Sequence, residues 1–144
     1  MFNTSHIHPM LVHFPIALLI VGFLFDIVSE FIKKEPCLLK IAFILQLLGT
    51  LGVIAAYISG DSFTNWESLV GAAKSAFMEH DESATYTIWI MIAATAFRVV
   101  LVVLHRYKGW FKYISLALFF IGVLCICRTG LLGGDLVYSY LVGH

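Results

Sequence analysis

Histidines cluster near the start of the chain, where their ring nitrogens are suited to bind a metal ion or a haem iron. Three of the six histidines, His6, His8 and His13, fall close together and are interleaved with Pro9 and Pro15. A long apolar run follows. Histidine is polar and titratable, so its presence at the start of an apolar helix indicates that its ring nitrogens bind something there. This segment is therefore the first candidate for a ligand set.

Haem b is the ligand that the pattern favours, because it needs one or two axial nitrogens held between helices and a cation near its propionates. His13 and His80 are the predicted ligands, with His8 in reserve as a ligand or a hydrogen-bond partner. Arg128 is predicted to pair with a propionate. The alternatives are an interfacial histidine at position 13 and a solvated loop histidine at position 80.

A divalent metal ion is the chemical alternative for the same histidines. His8, His13 and His80, together with a carboxylate such as Glu79 or Asp81, would suit zinc or copper. However, His8 and His13 are five residues apart, not the three or four that place two ligands on one helix face. No HExxH or comparable motif is present, so the spacing does not favour a compact metal site.

The composition identifies a membrane protein. Of 144 residues, 60% are hydrophobic and 12% are charged, and the mean hydropathy is +0.93. Soluble domains average about 45–50% apolar and about 25% charged residues. The length suits a single domain over residues 1–144. Because the formal net charge is zero and no basic run is present, nucleic-acid binding is not expected.

Four apolar segments are long enough to cross a bilayer, which takes about 20 residues. They span residues 15–32, 38–59, 84–104 and 112–127, the last with an extension to about residue 132. They predict an all-α integral membrane four-helix bundle with up-down connections. The lipid bilayer is the expected partner. Within the bundle, close contacts between helices are predicted at Gly49, Gly52 and Gly122.

Two further segments lie outside these crossings. Apolar residues between positions 60 and 83 recur at three- and four-residue steps and predict a short amphipathic helix on the outer interface. The repeating residues are Trp66, Leu69, Val70, Ala73 and Phe77. The tail over residues 128–144 is glycine-rich yet apolar, and we expect it to fold back over the outer end of the bundle.

Basic residues predict the orientation. Lysines and arginines concentrate around the first and third loops, as Lys33, Lys34, Lys40, Arg106, Lys108 and Lys112. The positive-inside rule places these loops in the cytoplasm. In an inner (cytoplasmic) membrane, both termini would then be periplasmic. All histidines except His105 would lie on that same side.

Asp26 and Arg98 are two charged residues that lie inside the predicted helices and form a second candidate group. Each precedes the basic loop end of its helix by seven residues, which is about 10 Å at about 1.5 Å per residue. The first and third helices run in the same direction, so the two charges lie at equal depth. Since a charge within a membrane is costly unless paired, we expect a structural ion pair. The alternative is a protonated Asp26 and a snorkelling Arg98.

The opening motif carries a family resemblance. Residues 8–18, His-Pro-Met-Leu-Val-His-Phe-Pro-Ile-Ala-Leu, followed by Asp26, resemble a bacterial family of predicted membrane proteins known as domain of unknown function 2231. Gly60-Asp61, His80 and residues 133–138 resemble its later landmarks. The resemblance implies four membrane helices and no established activity. Some relatives are joined to cytochrome c-like domains, which favours a redox role by association.

Three functional hypotheses follow. The first is a b-type cytochrome-like membrane protein that binds haem near its periplasmic face and passes electrons, with quinol and a periplasmic cytochrome as partners. The second is a copper- or zinc-binding module. The third is a cofactor-free structural subunit of a membrane complex, or a homo-oligomer. No nucleophile–base pair, phosphate loop or hydride-transfer motif is visible, so no stand-alone catalytic activity is expected.

Overall fold

Four long helices make up the part of the chain that the computed structural model describes, which is residues 7–32, 34–63 and 69–140. Side chains are described from residue 12 onward, except those of residues 61–63. The helices are α1 (Ile7–Phe31), α2 (Pro36–Phe63), α3 (Gly71–Val103) and α4 (Trp110–Tyr140). Each is long and apolar enough to cross a membrane, judged by length and composition.

The helices form the predicted up-down bundle. α1 packs along α2 and α3 packs along α4, and the two pairs meet where α1 touches α4 and where α2 touches α3. Helices α1 and α3 are therefore diagonal to each other. Buried apolar side chains from all four helices fill the centre, among them Leu19, Val53, Met91 and Phe119. Many large apolar side chains on the outside are exposed, as expected of helices whose outer faces contact lipid.

Two ends of the bundle can be distinguished by what they carry. The starts of α1 and α3 lie at one end, which we call the His80 end. The loops over residues 32–35 and 104–109 lie at the other, which we call the Tyr107 end. There α3 stops in a defined way, because the amide of His105 bonds the carbonyl of Val102 and the amide of Arg106 bonds that of Leu101. His105 has a φ of 54°, the left-handed conformation that closes a helix of this type.

Two details of the predicted architecture were wrong. Residues 71–83 are not a separate interfacial helix, because they form the first turns of α3, which runs for 33 residues without a break. Residues 128–140 of the tail do not fold back either, because α4 continues as a helix to Tyr140; residues 141–144 lie outside the described residues. The two extensions meet where the ring of His80 on α3 lies against Gly133 on α4, and Leu136 on α4 is 5% exposed. Trp66 of the predicted interfacial helix lies outside the described residues.

The predicted close contacts at glycines are present. A Cβ atom at Gly49 would lie 2.5 Å from Cδ2 of the fully buried Leu19, and one at Gly52 would lie 3.0 Å from Cβ of Pro15. On the other side of the bundle, a Cβ at Gly122 would overlap Met91. The absence of a side chain at these positions therefore allows α1 to approach α2 and α3 to approach α4 closely.

We expect Gly49→Ala to destabilise the bundle by about 1–3 kcal/mol, because the added methyl group overlaps a packed core side chain. The matched control is Gly134→Ala, since nothing lies within 4 Å of a Cβ built there. The control should leave stability unchanged or raise it, because alanine favours helix over glycine. Unfolding in mixed micelles of increasing denaturing-detergent content, followed by circular dichroism, measures both. Equal stability of the two variants would contradict the close-packing account.

Candidate functional site

A buried ion pair joins α1 to α3 across the diagonal of the bundle. The guanidinium of Arg98 donates from Nη2 to Oδ1 of Asp26 at 2.8 Å and from Nη1 to Oδ2. Both residues are 1% exposed. The structure thus brings together the two charges that the sequence places at equal depth. Two parallel bonds between a guanidinium and a carboxylate form a strong, directional pairing.

Polar side chains of α2 and α3 extend this ion pair into a network. Nη1 of Arg98 also donates to Oε1 of Gln46 at 2.8 Å, and Nε2 of Gln46 donates to the hydroxyl of Thr95 at 3.3 Å. The hydroxyls of Thr95 and Thr50 lie 2.8 Å apart. Every one of these residues is buried. Three helices are therefore held at one depth by hydrogen bonds that water does not reach.

Aromatic rings close the network towards the Tyr107 end. Cζ of Arg98 lies 4.9 Å from the ring centroid of Tyr107 and 5.6 Å from that of Phe43. Such contacts stabilise a cation that has lost its water. Burial raises the pKa of Tyr107 to about 12, so its hydroxyl remains neutral at physiological pH. Within the described residues, Nε of Arg98 is buried and has no hydrogen-bond partner.

The second polar cluster lies at the His80 end, where the half-buried imidazole of His80 is fixed by α4. Its Nδ1 lies 3.1 Å from the backbone carbonyl oxygen of Thr129. A carbonyl oxygen can only accept, so Nδ1 carries the hydrogen, and in the neutral imidazole Nε2 keeps its lone pair. A Cβ at Gly133 would lie 3.0 Å from Cε1 of His80, so the ring lies over this glycine. The imidazole is thus oriented with its basic nitrogen directed away from the bond to Thr129.

Hydroxyl groups hold this part of α4 in place. The hydroxyl of Thr129 lies 2.8 Å from those of Ser83 and Thr87 on α3, and it donates to the carbonyl of Cys125 one turn earlier at 3.0 Å. The carbonyl that orients His80 therefore belongs to a residue that is itself anchored to α3. Histidines that ligate metals commonly use their other ring nitrogen in this way.

His13 lies on the exposed side of α1. The buried face of α1 is marked by Pro15, Leu19, Asp26 and Ser29, whereas His13 is exposed. Two residues before Pro15 on a helix of about 3.6 residues per turn, His13 is turned about 160° away from it. The pairing of His13 with His80 across the diagonal gap stays a prediction.

The remaining predicted site residues lie at the His80 end. Arg128 is exposed and pairs with Glu79 at 3.2 Å, which places a cation beside the residues that carry His80. His8 lies in α1 at the same end, but its side chain is outside what the structure describes. Among the described residues, no group of three or more histidine, cysteine, aspartate or glutamate side chains is arranged to hold a metal ion.

Sequence reasoning missed the neutral members of both clusters. Gln46 and Thr50, like Ser83 and Thr87, are polar residues four apart within apolar helices. That spacing puts both members of each pair on one face of a helix. A row of polar residues along an otherwise apolar helix marks the face that packs against other helices. The four-residue spacing could therefore have identified these residues as members of polar clusters inside the bundle.

Comparison with known proteins places the chain in a family. The family described as predicted membrane protein (DUF2231) matches residues 4–144. The chain belongs to this family. No curated protein and no solved structure matches it. The four apolar helices of this DUF2231 protein agree with the family description, which names a membrane protein and no activity.

For this DUF2231 protein we expect Asp26→Leu to lower stability by about 3–5 kcal/mol, because it leaves the Arg98 cation unpaired in the membrane interior. The double variant Asp26→Leu/Arg98→Met should recover most of that loss, since it removes both charges and keeps the volume filled. A double-mutant cycle on the free energy of unfolding in micelles measures the coupling.

The control for this cycle is Glu79→Gln, which removes the exposed pair with Arg128. Exposed pairs contribute at most about 1 kcal/mol, so this variant should unfold almost like the parent protein. If Asp26→Leu were no more destabilising than Glu79→Gln, the buried ion pair would not be a main support of the bundle.

Proposed function

We propose that this protein is a small membrane redox protein, similar to b-type cytochromes, that binds haem b at its His80 end and transfers electrons. The observation that carries the proposal is the bond from Nδ1 of His80 to the carbonyl of Thr129. It leaves Nε2 as the basic nitrogen of an oriented imidazole in a membrane bundle, which is what an axial haem ligand requires.

A second ligand would come from α1. His13 is exposed and turned away from the core, so it could reach only a haem bound at the rim of the bundle. His8 lies in α1 at the same end of the bundle and is the reserve ligand. Arg128, exposed beside this end, would pair with a propionate.

The orientation proposed for this activity puts the His80 end in the periplasm. Lys34, Arg106 and Lys108 lie in the loops of the Tyr107 end, and basic loops remain in the cytoplasm. Both termini would then be periplasmic in the inner membrane of a bacterium. A haem at this end would accept electrons from quinol in the bilayer and pass them to a periplasmic cytochrome.

A visible absorption spectrum of protein purified after haem-sufficient expression tests the proposal. We expect a Soret band and a reduced-minus-oxidised difference spectrum typical of b-type haem. His80→Ala should lose most of the haem because it removes the oriented ligand. His105→Ala is the matched control, since His105 ends α3 at the opposite end and its loss should leave the spectrum unchanged.

Two outcomes would overturn the haem assignment: a folded wild-type protein without a Soret band, or unchanged haem content in His80→Ala. Elemental analysis of the same preparation then separates the other functions. Stoichiometric copper or zinc that disappears in His80→Ala would assign a metal-binding module. Absence of haem and metal, with normal assembly of the His80→Ala variant, would favour a cofactor-free structural subunit or homo-oligomer.

A further inference from the structure

An apolar groove lies at the Tyr107 end, on the side of the bundle where α2 meets α3. Its volume is about 240 Å³, and its walls are formed by Pro36, Leu39 and Phe43 from α2 and by Val102 from α3. Lys40 also lines the groove and is exposed. We propose that this groove binds an acyl chain of an anionic phospholipid whose headgroup phosphate pairs with Lys40.

The charge distribution at this end of the bundle favours an anionic lipid. In residues 30–40 and 104–112, the described cations outnumber the described carboxylates by five to two. The cations are Lys34, Lys40, Arg106, Lys108 and Lys112, and the carboxylates are Glu30 and Glu35. Glu30 is neutralised by its ion pair with Lys112. An apolar groove lined by Lys40, at a basic end of membrane helices, complements a phosphate headgroup joined to a hydrocarbon chain.

The floor of the groove exposes few polar atoms. Arg98 lines the groove, but its two terminal nitrogens are already bonded to Asp26 and Gln46. The hydroxyl of Tyr107 and Nε of Arg98 are buried. The groove therefore presents ring faces and aliphatic carbon to whatever enters it, and a hydrocarbon chain loses no hydrogen bonds there.

A neighbouring groove of about 210 Å³ is a poorer site for the same lipid. It shares Pro36 and Leu39 with the first, but Ser29, Glu35 and Lys112 also line it. The carboxylate of Glu35 would repel a phosphate, and Lys112 is already paired with Glu30. The inference therefore concerns the groove beside Lys40. It does not depend on haem binding, because this groove lies at the opposite end from His80.

The test is thermal unfolding of the full chain in detergent with added phosphatidylglycerol or with phosphatidylcholine of the same acyl chains. A ligand that binds only the folded state raises the unfolding temperature in a saturable way. We expect phosphatidylglycerol to produce a saturable rise and phosphatidylcholine a clearly smaller one. Equal effects of the two lipids would overturn the proposal.

Two matched pairs of variants separate the headgroup contact from the chain contact. Lys40→Gln should remove most of the phosphatidylglycerol shift, whereas Lys74→Gln, an exposed lysine at the His80 end, should keep it. Val102→Phe fills the groove and should reduce the shift, whereas Val103→Phe changes the next, more exposed residue outside the groove and should not.

Each unexpected result has a defined meaning. If Lys40→Gln and Lys74→Gln lose the shift equally, the lipid effect is general charge attraction and the site is rejected. If Val102→Phe and Val103→Phe both keep the full shift, no chain enters the groove and the proposal fails. Should Val102→Phe fold poorly without lipid, retention of the full shift by Lys40→Gln would still overturn the proposal.

Discussion

The pairing of Asp26 with Arg98 is the interaction on which the arrangement of the helices depends. A charge in the hydrocarbon region is costly unless it is neutralised. The two residues must therefore lie at the same depth in the membrane and face each other. The pair joins α1 to α3, two helices that lie diagonal to each other and have few other contacts. Gln46 brings α2 into the same layer. Apolar packing in lipid is weakly directional, so these polar contacts specify which helix faces turn inwards.

Two polar layers result, separated by an apolar one. Thr95 belongs to the layer of the ion pair and Thr87 to the layer of His80; the two positions are eight residues apart, which is about 12 Å along α3. Met91 lies between them and, with Leu19 and Phe119, is completely buried. In the described part of the chain, no polar side chain bridges this gap. The two layers can therefore have different roles: one holds the bundle together, and the other offers a basic nitrogen.

The second layer depends on α4 remaining helical beyond the membrane-spanning length predicted for it. The carbonyl of Thr129 orients His80, and Gly133 leaves room for the ring. A tail that folded back would have lost both contacts. The basic loops at the other end concentrate positive charge beside an apolar groove, so the chemistry suited to an imidazole ligand and the chemistry suited to a lipid headgroup lie at opposite ends of the same bundle.

The sequence by itself determined the number of crossings, the up-down order, the glycine contacts and the partnership of Asp26 with Arg98. Hydropathy reports the free energy of transfer into lipid, and depth follows from helical rise. Only the tertiary structure decided that His13 faces outwards, that Thr129 orients His80, and that α3 and α4 extend together. When a helix is apolar around its whole circumference, its sequence does not show which side faces the other helices. Packing between the helices therefore selects the inner face and brings the two extensions into contact.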